Sequence, residues 1–373
     1  MPRPTLASLA KELAVSRQTV SNVLNAPHRV KPATRRRVQA AIASAGYRPN
    51  AAARQLRTRR SMNLGLRLLP SSNGINGAIL DRFLHALTEA AQRAGYRLTL
   101  FCADSDGDEI RQYQQLLDVA GLDGFILTSS TPNDPRTRWL QERGTPFAVF
   151  GRPWDGDGHV SSVDHPWVDV DGAAGTDSAV KMLLAQGHSK IGFLGWSAHS
   201  PVGADRASGW ERAMREAGLG THVSALRLEA EDTVAGGAAG AALLGLRGAT
   251  AMVCSSDSLA LGALETLREL TPATLLQGRS PGPTSHAAIV GFDDTPVAAA
   301  LGLSSVAQPV EDAARHLIRV LTHEVACDGA SAPNDLPALD SAAGVDVPPE
   351  KQILLTPHVV ERIPLPLAAP GSG

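Results

Sequence analysis

The chain has 373 residues with a formal net charge of −2, and its 43% hydrophobic content is typical of a globular protein with two or three domains. It contains no apolar run near the ~18 residues of a membrane helix, and residues 1–13 lack a signal-peptide core, so we expect a cytoplasmic protein without membrane contact. The three cysteines are widely spaced, which disfavours a disulfide framework and a metal motif, and we expect no metal.

The charge is concentrated at one end of the chain. Residues 1–60 contain thirteen lysines and arginines but a single acidic residue, Glu12, whereas the remaining residues are acidic overall. A basic head on an acidic body is typical of proteins that bind nucleic acid. A solvated basic tail is the alternative, but the spacing of apolar residues predicts that this segment folds.

The basic segment has the apolar spacing of three short amphipathic helices. Thr5 and Ser16 precede the first two and can act as their N-caps, while Gly46 follows the third and can end it. The predicted helices span residues 6–13, 17–24 and 32–45.

The second predicted helix carries polar side chains on its outer face, close to its N-terminus. Arg17, Gln18, Ser21 and Asn22 fall on this face. Arginine can form two hydrogen bonds with guanine, and glutamine or asparagine can do so with adenine. The pattern therefore predicts a helix-turn-helix whose second helix enters the major groove.

Two stretches of this segment resemble the DNA-binding head of the lactose-repressor/galactose-repressor (LacI/GalR) family. They are TLASLAKELAVSRQTVSNVLN and VKPATRRRVQAAIASAGYRPNAAARQL, and the match is nearly gap-free over residues 4–60. The resemblance implies that Arg17, Gln18 and Asn22 read bases. Asn22 stands where the family often has Arg, which bears on the outer bases of the operator. The resemblance also implies phosphate-contacting or bracing roles for Ser16, Thr19, Ser21, Asn25 and Tyr47. Thr5 is a further predicted DNA contact.

Residues 49–60 are the predicted hinge between head and body. The sequence AAARQL favours a helix, but so short a helix is marginal by itself. The family resemblance implies that it folds only on DNA, beside its copy in a dimer, with Leu56 wedged into the minor groove. The alternative is that Leu56 is a linker residue without a contact. The other predicted DNA contacts of the hinge are Asn50, Ala53 and Arg54.

From Asn63 onwards, short apolar runs alternate with helical patterns, and this rhythm restarts after Asp164. Such alternation predicts doubly wound parallel sheets in two lobes, with ligands bound at the carboxyl ends of the strands. The resemblance continues to about residue 362 and implies a body like the periplasmic sugar-binding proteins, crossed by the chain near 161–164, near Gln308 and within 329–352. The predicted organisation is an all-α helix-turn-helix head (1–48), the hinge (49–60), a first lobe (61–164 with 309–328), a second lobe (165–308 with 351–365) and a flexible loop (329–350).

The resemblance also assigns an effector pocket between the lobes. Arg206 matches the family arginine that hydrogen-bonds the effector, although it can instead pair with Asp205. Asp293 matches a carboxylate at the end of the GFDD strand, although it can instead cap the next segment. The full predicted set of effector contacts is Ser71, Ser72, Arg152, Asp164, Trp196, Arg206, Ser256 and Asp293.

Several of these positions carry open alternatives. Ser256 stands where the lactose repressor has Asn, and Gly151 stands where it has Asp, a lost polar contact for which Arg152 is a candidate replacement. Trp196 can stack on a sugar or pack in the core. Asp164 can close the cleft or cap a helix.

Other functional classes fit the sequence less well. It contains no phosphate-binding loop, dinucleotide fingerprint, HExxH motif or nucleophile elbow, so we expect neither an enzyme nor a bound cofactor. A sugar transport receptor would share the body but not the head. A nucleobase or nucleoside is the alternative effector, but its site usually needs aromatic faces, and aromatic residues make up only 4% of the chain.

The sequence and the resemblance together predict a repressor of carbohydrate genes. We expect it to bind a pseudo-palindromic double-stranded DNA operator under the control of a mono- or oligosaccharide. The C-terminal segment lacks leucine heptads, which favours a homodimer over a tetramer. The loops at 271–286 and 327–350 are longer than in the family and are rich in Pro, Gly, Ser and Ala.

Overall fold

The computed structural model describes eight stretches of the chain: 4–25, 27–47, 60–68, 75–155, 159–197, 200–270, 288–328 and 348–362. Several predicted contacts lie outside these described residues: Asn50, Ala53, Arg54, Leu56, Ser71 and Ser72. They remain predictions of the sequence. None of the helices in the described ranges combines the length and the apolar character needed to cross a bilayer.

The head consists of three helices around a small apolar core. They are α1 (Leu6–Glu12), α2 (Arg17–Asn25) and α3 (Pro32–Ser44), with a 3₁₀ turn (Pro27–Arg29) before the last. The apolar face of each helix supplies buried residues to this core: Leu9, Ala10, Val20, Val23 and Val38. The three predicted helices are therefore confirmed to within one residue at each end.

Side-chain caps fix the starts of the first two helices. Thr5 and Ser8 form a reciprocal capping box, in which the Thr5 hydroxyl accepts from Ser8 N at 3.1 Å and Ser8 Oγ accepts from Thr5 N at 2.8 Å. Ser16 Oγ accepts from Thr19 N at 3.0 Å at the start of α2. These bonds satisfy backbone donors that a helix start would otherwise leave unpaired.

The body contains two six-stranded sheets, one in each lobe. The first has the order β11-β5-β4-β3-β1-β2 and is parallel throughout, whereas the second has the order β12-β10-β9-β8-β6-β7, with only β12 antiparallel. The first sheet comprises β1 (Asn63–Arg67), β2 (Arg97–Phe101), β3 (Gly124–Leu127), β4 (Phe147–Phe150), β5 (Trp167–Val170) and β11 (Gln352–Leu355). The second comprises β6 (Ile191–Gly195), β7 (Arg227–Glu229), β8 (Ala251–Cys254), β9 (Ala288–Phe292), β10 (Ser304–Ala307) and β12 (His358–Val360).

Helices cover both faces of each sheet, which explains the nearly continuous apolar strands. The helices of the body are α4 (Asn76–Arg93), α5 (Asp106–Ala120), α6 (Pro135–Glu142), α7 (Gly172–Ala185), α8 (Pro201–Glu216), α9 (Val223–Leu226), α10 (Val234–Leu246), α11 (Asp257–Leu270), α12 (Pro296–Ala300) and α13 (Val310–Asp328). In the first lobe, α4 and α13 share one core and α5 and α6 another; in the second, α7 and α8 share one core and α10 and α11 another. The predicted doubly wound fold is confirmed.

The lobe boundaries differ from those expected from the sequence. Strand β5 pairs with β4 in the first sheet, so the first lobe extends past 164 and the chain crosses at Asp171, immediately before α7. A second crossing follows β10 at Gln308. The third lies between β11 and β12, so the predicted crossing within 329–352 is wrong. Of the segment 351–365 predicted for the second lobe, β11 pairs in the first sheet and β12 in the second. The lobe to which β5, β11 and β12 belong is decided by their pairing with strands elsewhere in the chain, which local sequence patterns do not reveal.

A close helix contact fixes the position of α8, which carries two residues of the candidate site. A Cβ atom added to Gly209 would lie 1.9 Å from the carbonyl oxygen of Ala173 on α7. The Thr176 hydroxyl donates to the Arg206 carbonyl at 2.6 Å. Since only glycine allows this approach, α7 and α8 pack backbone to backbone.

Candidate functional site

Polar side chains gather where strands of both sheets end. They are Arg152 after β4, Trp196 after β6, Ser255 and Ser256 after β8, Asp293 after β9 and Gln308 after β10. Helix α8 adds Asp205 and Arg206. The carboxyl ends of parallel strands are where α/β proteins bind ligands, so the cleft between the lobes is the candidate site.

Arg206 is buried at the centre of this cluster. Its Nη1 donates to the carbonyl of Ser255 at 2.5 Å, and its Nη2 lies 4.0 Å from Asp293 Oδ1. The guanidinium carbon lies 3.6 Å from the ring centre of Phe292 and 4.8 Å from that of Trp196. Burial lowers the pKa of Arg206, and the neighbouring aspartates oppose this shift. Its Nε is buried and has no hydrogen-bond partner among the described residues.

Asp293 is the carboxylate beside this arginine. Its Oδ1 accepts from Gln308 Nε2 at 2.5 Å, and its backbone has a φ of +106°. Burial raises the pKa of Asp293 to about 7, against the opposing effect of Arg206. The following helix is capped by Thr295, so Asp293 does not serve as its N-cap. A carboxylate poised near neutral pH can accept ligand hydroxyl groups.

Arg152 connects the two lobes. Its Nε donates to Asp169 Oδ2 in β5 and its Nη2 donates to Asp205 Oδ2 on α8, both at 2.7 Å. Asp205 therefore pairs with Arg152, and the alternative pairing with Arg206 does not occur. The Arg152 side chain also lies over the ring of Trp154, 4.7 Å from its centre. Its hydrogen-bonding capacity is directed mainly at protein carboxylates.

Gly151 explains the loss of an aspartate at this position. Its φ is +125°, a conformation that favours glycine, and a Cβ atom there would lie 2.6 Å from Ser130 Oγ. A longer side chain would therefore require the Ser130 hydroxyl to turn away from its hydrogen bond to the Arg152 carbonyl. The neighbouring Arg152 extends into the cleft instead, where it forms ion pairs with Asp169 and Asp205.

Ser256 and Asp257 have structural partners in this structure. Ser256 Oγ donates to Asp232 at 2.5 Å and accepts from Leu259 N at 3.2 Å, which places Ser256 at the start of α11. The carboxylate of Asp257 accepts from Thr295 N at 2.7 Å and from Ser305 Oγ at 2.6 Å. Ser256 therefore caps this helix, whereas Asp257 bonds to residues that follow β9 and lie in β10.

Two other predicted pocket residues have different outcomes. Trp196 is half-buried, stacks near Arg206, and its indole nitrogen has no partner among the described residues. Asp164 is exposed and precedes β5, at the amino end of the strand and away from Arg206 and Asp293. The prediction that Asp164 lines the cleft is therefore wrong. It assumed that the chain crosses between the lobes at Asp164, whereas the chain first forms β5 in the first sheet.

Four cleft residues were missed in the sequence: Asp169, Asp205, Asp232 and Gln308. Asp169 had a visible signal, since it is a polar residue within the short apolar run WVDV. Asp205 precedes Arg206, but only tertiary structure brings it to Arg152. The other two become candidates only when the strand ends are assembled.

The residues predicted to read bases lie along α2 of the head. Arg17 and Gln18 are exposed, and Gln18 Nε2 donates to Asn22 Oδ1 at 2.9 Å. Thr19, Ser21 and Asn22 are half-buried along α2. Tyr47 packs against the head core, consistent with a bracing position. Within the described ranges, no cluster of His, Cys, Asp or Glu could hold a metal ion.

Comparison with protein families identifies both parts of the chain. Residues 5–50 match the model of bacterial regulatory proteins of the lacI family. Residues 79–318 match the model described as periplasmic binding proteins and sugar binding domain of the LacI family.

Individual relatives span nearly the whole chain. The HTH-type transcriptional regulator CelR of Thermobifida fusca is 31% identical over 328 residues, covering 87% of this chain and 92% of the relative. A solved complex of the transcriptional regulator CelR with cellobiose is 26% identical with a TM-score of 0.63, covering 96% of this chain and 99% of that one. The lac repressor dimer bound to operator and the anti-inducer ONPF shares the fold at 20% identity with a TM-score of 0.67, covering 97% and 98%. The chain therefore belongs to the LacI family of bacterial transcriptional regulators.

Proposed function

We propose that this regulator is a homodimeric repressor that binds a pseudo-palindromic DNA operator and changes its affinity when a mono- or oligosaccharide occupies the cleft. The observation that carries this proposal is the pair Arg206 and Asp293, buried where the lobes meet and 4.0 Å apart. Vicinal sugar hydroxyls can bond both a guanidinium and a carboxylate. The cellobiose complex of a relative supports the same class of effector.

The arrangement of aromatic rings favours a sugar over a nucleobase. A base site usually needs a ring face open for stacking. In the described part of the cleft, Arg206 lies over Phe292 and near Trp196, so the guanidinium already covers one ring and flanks the other. A saccharide needs hydroxyl partners rather than two parallel rings.

The head and hinge supply the proposed DNA contacts. Arg17, Gln18 and Asn22 lie on α2 and would contact bases, and polar residues at the helix starts of the head would contact phosphates. The hinge residues, with Leu56 as the wedge, complete this proposal from the sequence. The protein would act in the cytoplasm, where the operator lies, and would act by binding rather than by catalysis.

Control of DNA binding requires an effector that distinguishes two states. In the proposed mechanism, the unliganded dimer holds two heads and two hinge helices on the operator. The effector favours a different arrangement of the lobes, which separates the hinges. An inducer would bind the released state more tightly, and a corepressor would bind the operator-bound state more tightly.

A thermal-shift screen followed by DNA titration tests the proposal. Purified full-length protein is heated with monosaccharides, cellobiose and other oligosaccharides, nucleobases and nucleosides, because a ligand of the native state raises its melting temperature. Fragments from upstream of its own and neighbouring genes are then titrated by fluorescence anisotropy with each hit. We expect a saccharide hit that changes operator affinity. A nucleobase hit would replace the effector class, and no DNA binding under any condition would refute the repressor.

A further inference from the structure

Arg60 is the last residue of the predicted hinge, and its side chain is fastened to the body. Its Nη2 donates to the carbonyl of Val325 at 2.9 Å and to that of Ala326 at 3.3 Å. Both carbonyls lie in the last turn of α13, where a helix leaves its acceptors unpaired and favours a positive charge. Arg60 therefore caps the C-terminal end of a helix that lies 265 residues further along the chain.

A carboxylate holds the two residues that follow Arg60. Asp123 Oδ1 accepts from Ser61 N at 2.7 Å, and Asp123 Oδ2 accepts from Met62 N at 2.8 Å. Met62 has a φ of +57°, which is uncommon for a residue other than glycine, and the two bonds help to hold this turn. Arg60 and Asp123 together form what we call the hinge clamp, which fixes the point where the hinge enters the first lobe.

Helix α13 connects this clamp with the effector cleft. Gln308, two residues before α13, donates to Asp293 Oδ1 at 2.5 Å. The helix then continues for 19 residues, or about 28 Å, to the carbonyls that Arg60 caps. Its apolar face is buried in the core of the first lobe from Val310 to Val325. Because close-packed interiors transmit strain, a displacement at the cleft end of this helix reaches the clamp.

We propose that the hinge clamp positions the hinge for operator binding without itself contacting DNA, and that α13 ties the clamp to the effector cleft. This inference rests on the proposed function and identifies the residues through which the body acts on the hinge. A short hinge helix is marginal in isolation, so a fixed attachment point reduces the conformational entropy that is lost when the hinge folds on DNA. Without the clamp, operator binding is weaker.

Substitution of Asp123 separates positioning from electrostatic attraction. Asp123→Ala removes a negative charge, which by itself would tighten DNA binding or leave it unchanged. Loss of the clamp should instead weaken binding by about tenfold, the cost of ordering about one further residue on the DNA. The matched control is Asp118→Ala, which removes the same charge from the exposed surface of α5 and should not weaken binding.

Fluorescence anisotropy measures these affinities for the full-length protein on an upstream DNA fragment that the wild type binds. Thermal unfolding checks that each variant is folded, and Asp123→Asn replaces Asp123→Ala if the latter is not. A folded variant that binds as tightly as the wild type would overturn the positioning role of the clamp.

Substitution of Arg60 tests the other half of the clamp. Arg60→Met removes both bonds to α13 and should weaken operator binding by a similar factor, while Arg60→Lys, which can still donate to a carbonyl, should restore part of the affinity. The dependence of log affinity on log salt should keep its slope, whereas loss of a phosphate contact would reduce the slope by about one. A reduced slope would show that Arg60 contacts DNA and would overturn the inference. Arg319→Met, exposed on α13, is the charge-matched control.

A double-mutant cycle tests the connection through α13. Gln308→Ala breaks the bond to Asp293 at the cleft end of the helix. The effects of substitutions at remote sites normally add, and Gln308 and Arg60 lie at opposite ends of a helix about 28 Å long. If α13 ties the two ends together, the effect of Gln308→Ala with Arg60→Met on operator affinity should depart by about threefold or more from the product of the single effects. Independent effects would overturn the connection, and a wild type that binds no DNA would overturn both the inference and the proposed function.

Discussion

Arg152 Nη2 donates a hydrogen bond to Asp205 Oδ2 at 2.7 Å, although Arg152 follows a strand of the first lobe and Asp205 lies on a helix of the second. The same guanidinium holds Asp169 in its own lobe. A single side chain therefore joins both walls of the cleft, directly beside the proposed effector contacts.

Replacing Arg152 by Met should destabilise the protein substantially. The substitution leaves Asp169 and Asp205 nearly buried without their cation, and breaking such a pair costs about 3 kcal/mol. Urea denaturation measures the change in the free energy of unfolding. Arg152→Lys keeps the positive charge but cannot bond both aspartates with separate nitrogens, so its free energy of unfolding should fall by less. If both variants match the wild type, the bridge contributes nothing to stability.

Replacing Arg206 by Ala should remove the response to the effector. The substitution deletes the central hydrogen-bond donor of the cleft. The free energy of effector binding should weaken by about 3 kcal/mol, which is roughly a 100-fold loss of affinity. Operator binding without effector should persist, because the head folds around its own core. Arg212→Ala, half-exposed on the same helix, is the control. Unchanged effector affinity in Arg206→Ala would show that the pocket is misplaced.

Effector affinity should rise as the pH rises through neutrality. The pKa of Asp293 is raised to about 7 by burial, so the carboxyl is partly protonated in the free protein at neutral pH. Ligand hydroxyls that donate to the carboxylate favour its charged form, so binding releases a proton and strengthens by at most about tenfold per pH unit below that pKa. Calorimetry at pH values on both sides of neutrality measures this trend. Asp293→Asn should flatten it, and weaker binding at higher pH would contradict the assignment.

Two glycine substitutions in helices should have opposite effects. Gly209→Ala places a Cβ atom 1.9 Å from the Ala173 carbonyl, so α7 and α8 must separate, at a cost of about 3 kcal/mol. Gly245→Ala in α10 meets no atom within 4 Å and should stabilise the chain by about 1 kcal/mol through helix propensity. Thermal or urea unfolding compares the two. Equal changes in both variants would argue against the close contact.

Arg17→Ala and Gln18→Ala should relax sequence preference in DNA binding. Each side chain is exposed on α2, and loss of a base contact costs about 1–3 kcal/mol of discrimination. Selection from a randomised DNA library, followed by affinity measurement, reveals the altered positions. Arg97→Ala, exposed on β2 of the body, is the charge-matched control. If the variants instead bind all DNA sequences more weakly by the same factor, these residues contact phosphates rather than bases.

The head could be read almost entirely from the sequence because its determinants are local. Apolar spacing predicted three helices, and Thr5 and Ser16 cap the first two as their residue types suggest. The alternation of strands and helices likewise predicted two doubly wound lobes, and the family resemblance pointed to Arg206 and Asp293, which the structure brings within 4.0 Å of each other.

Tertiary structure alone decided where the lobes divide and what Arg152 does. Strand β5 belongs to the first sheet because it pairs with β4, and β11 joins it by pairing with β5 across a long stretch of sequence, which no local pattern encodes. The ion pairs of Arg152 likewise join residues that are remote in the chain. Local propensity acts over a few residues, whereas the partners of a buried charge are chosen when the whole fold excludes water from them.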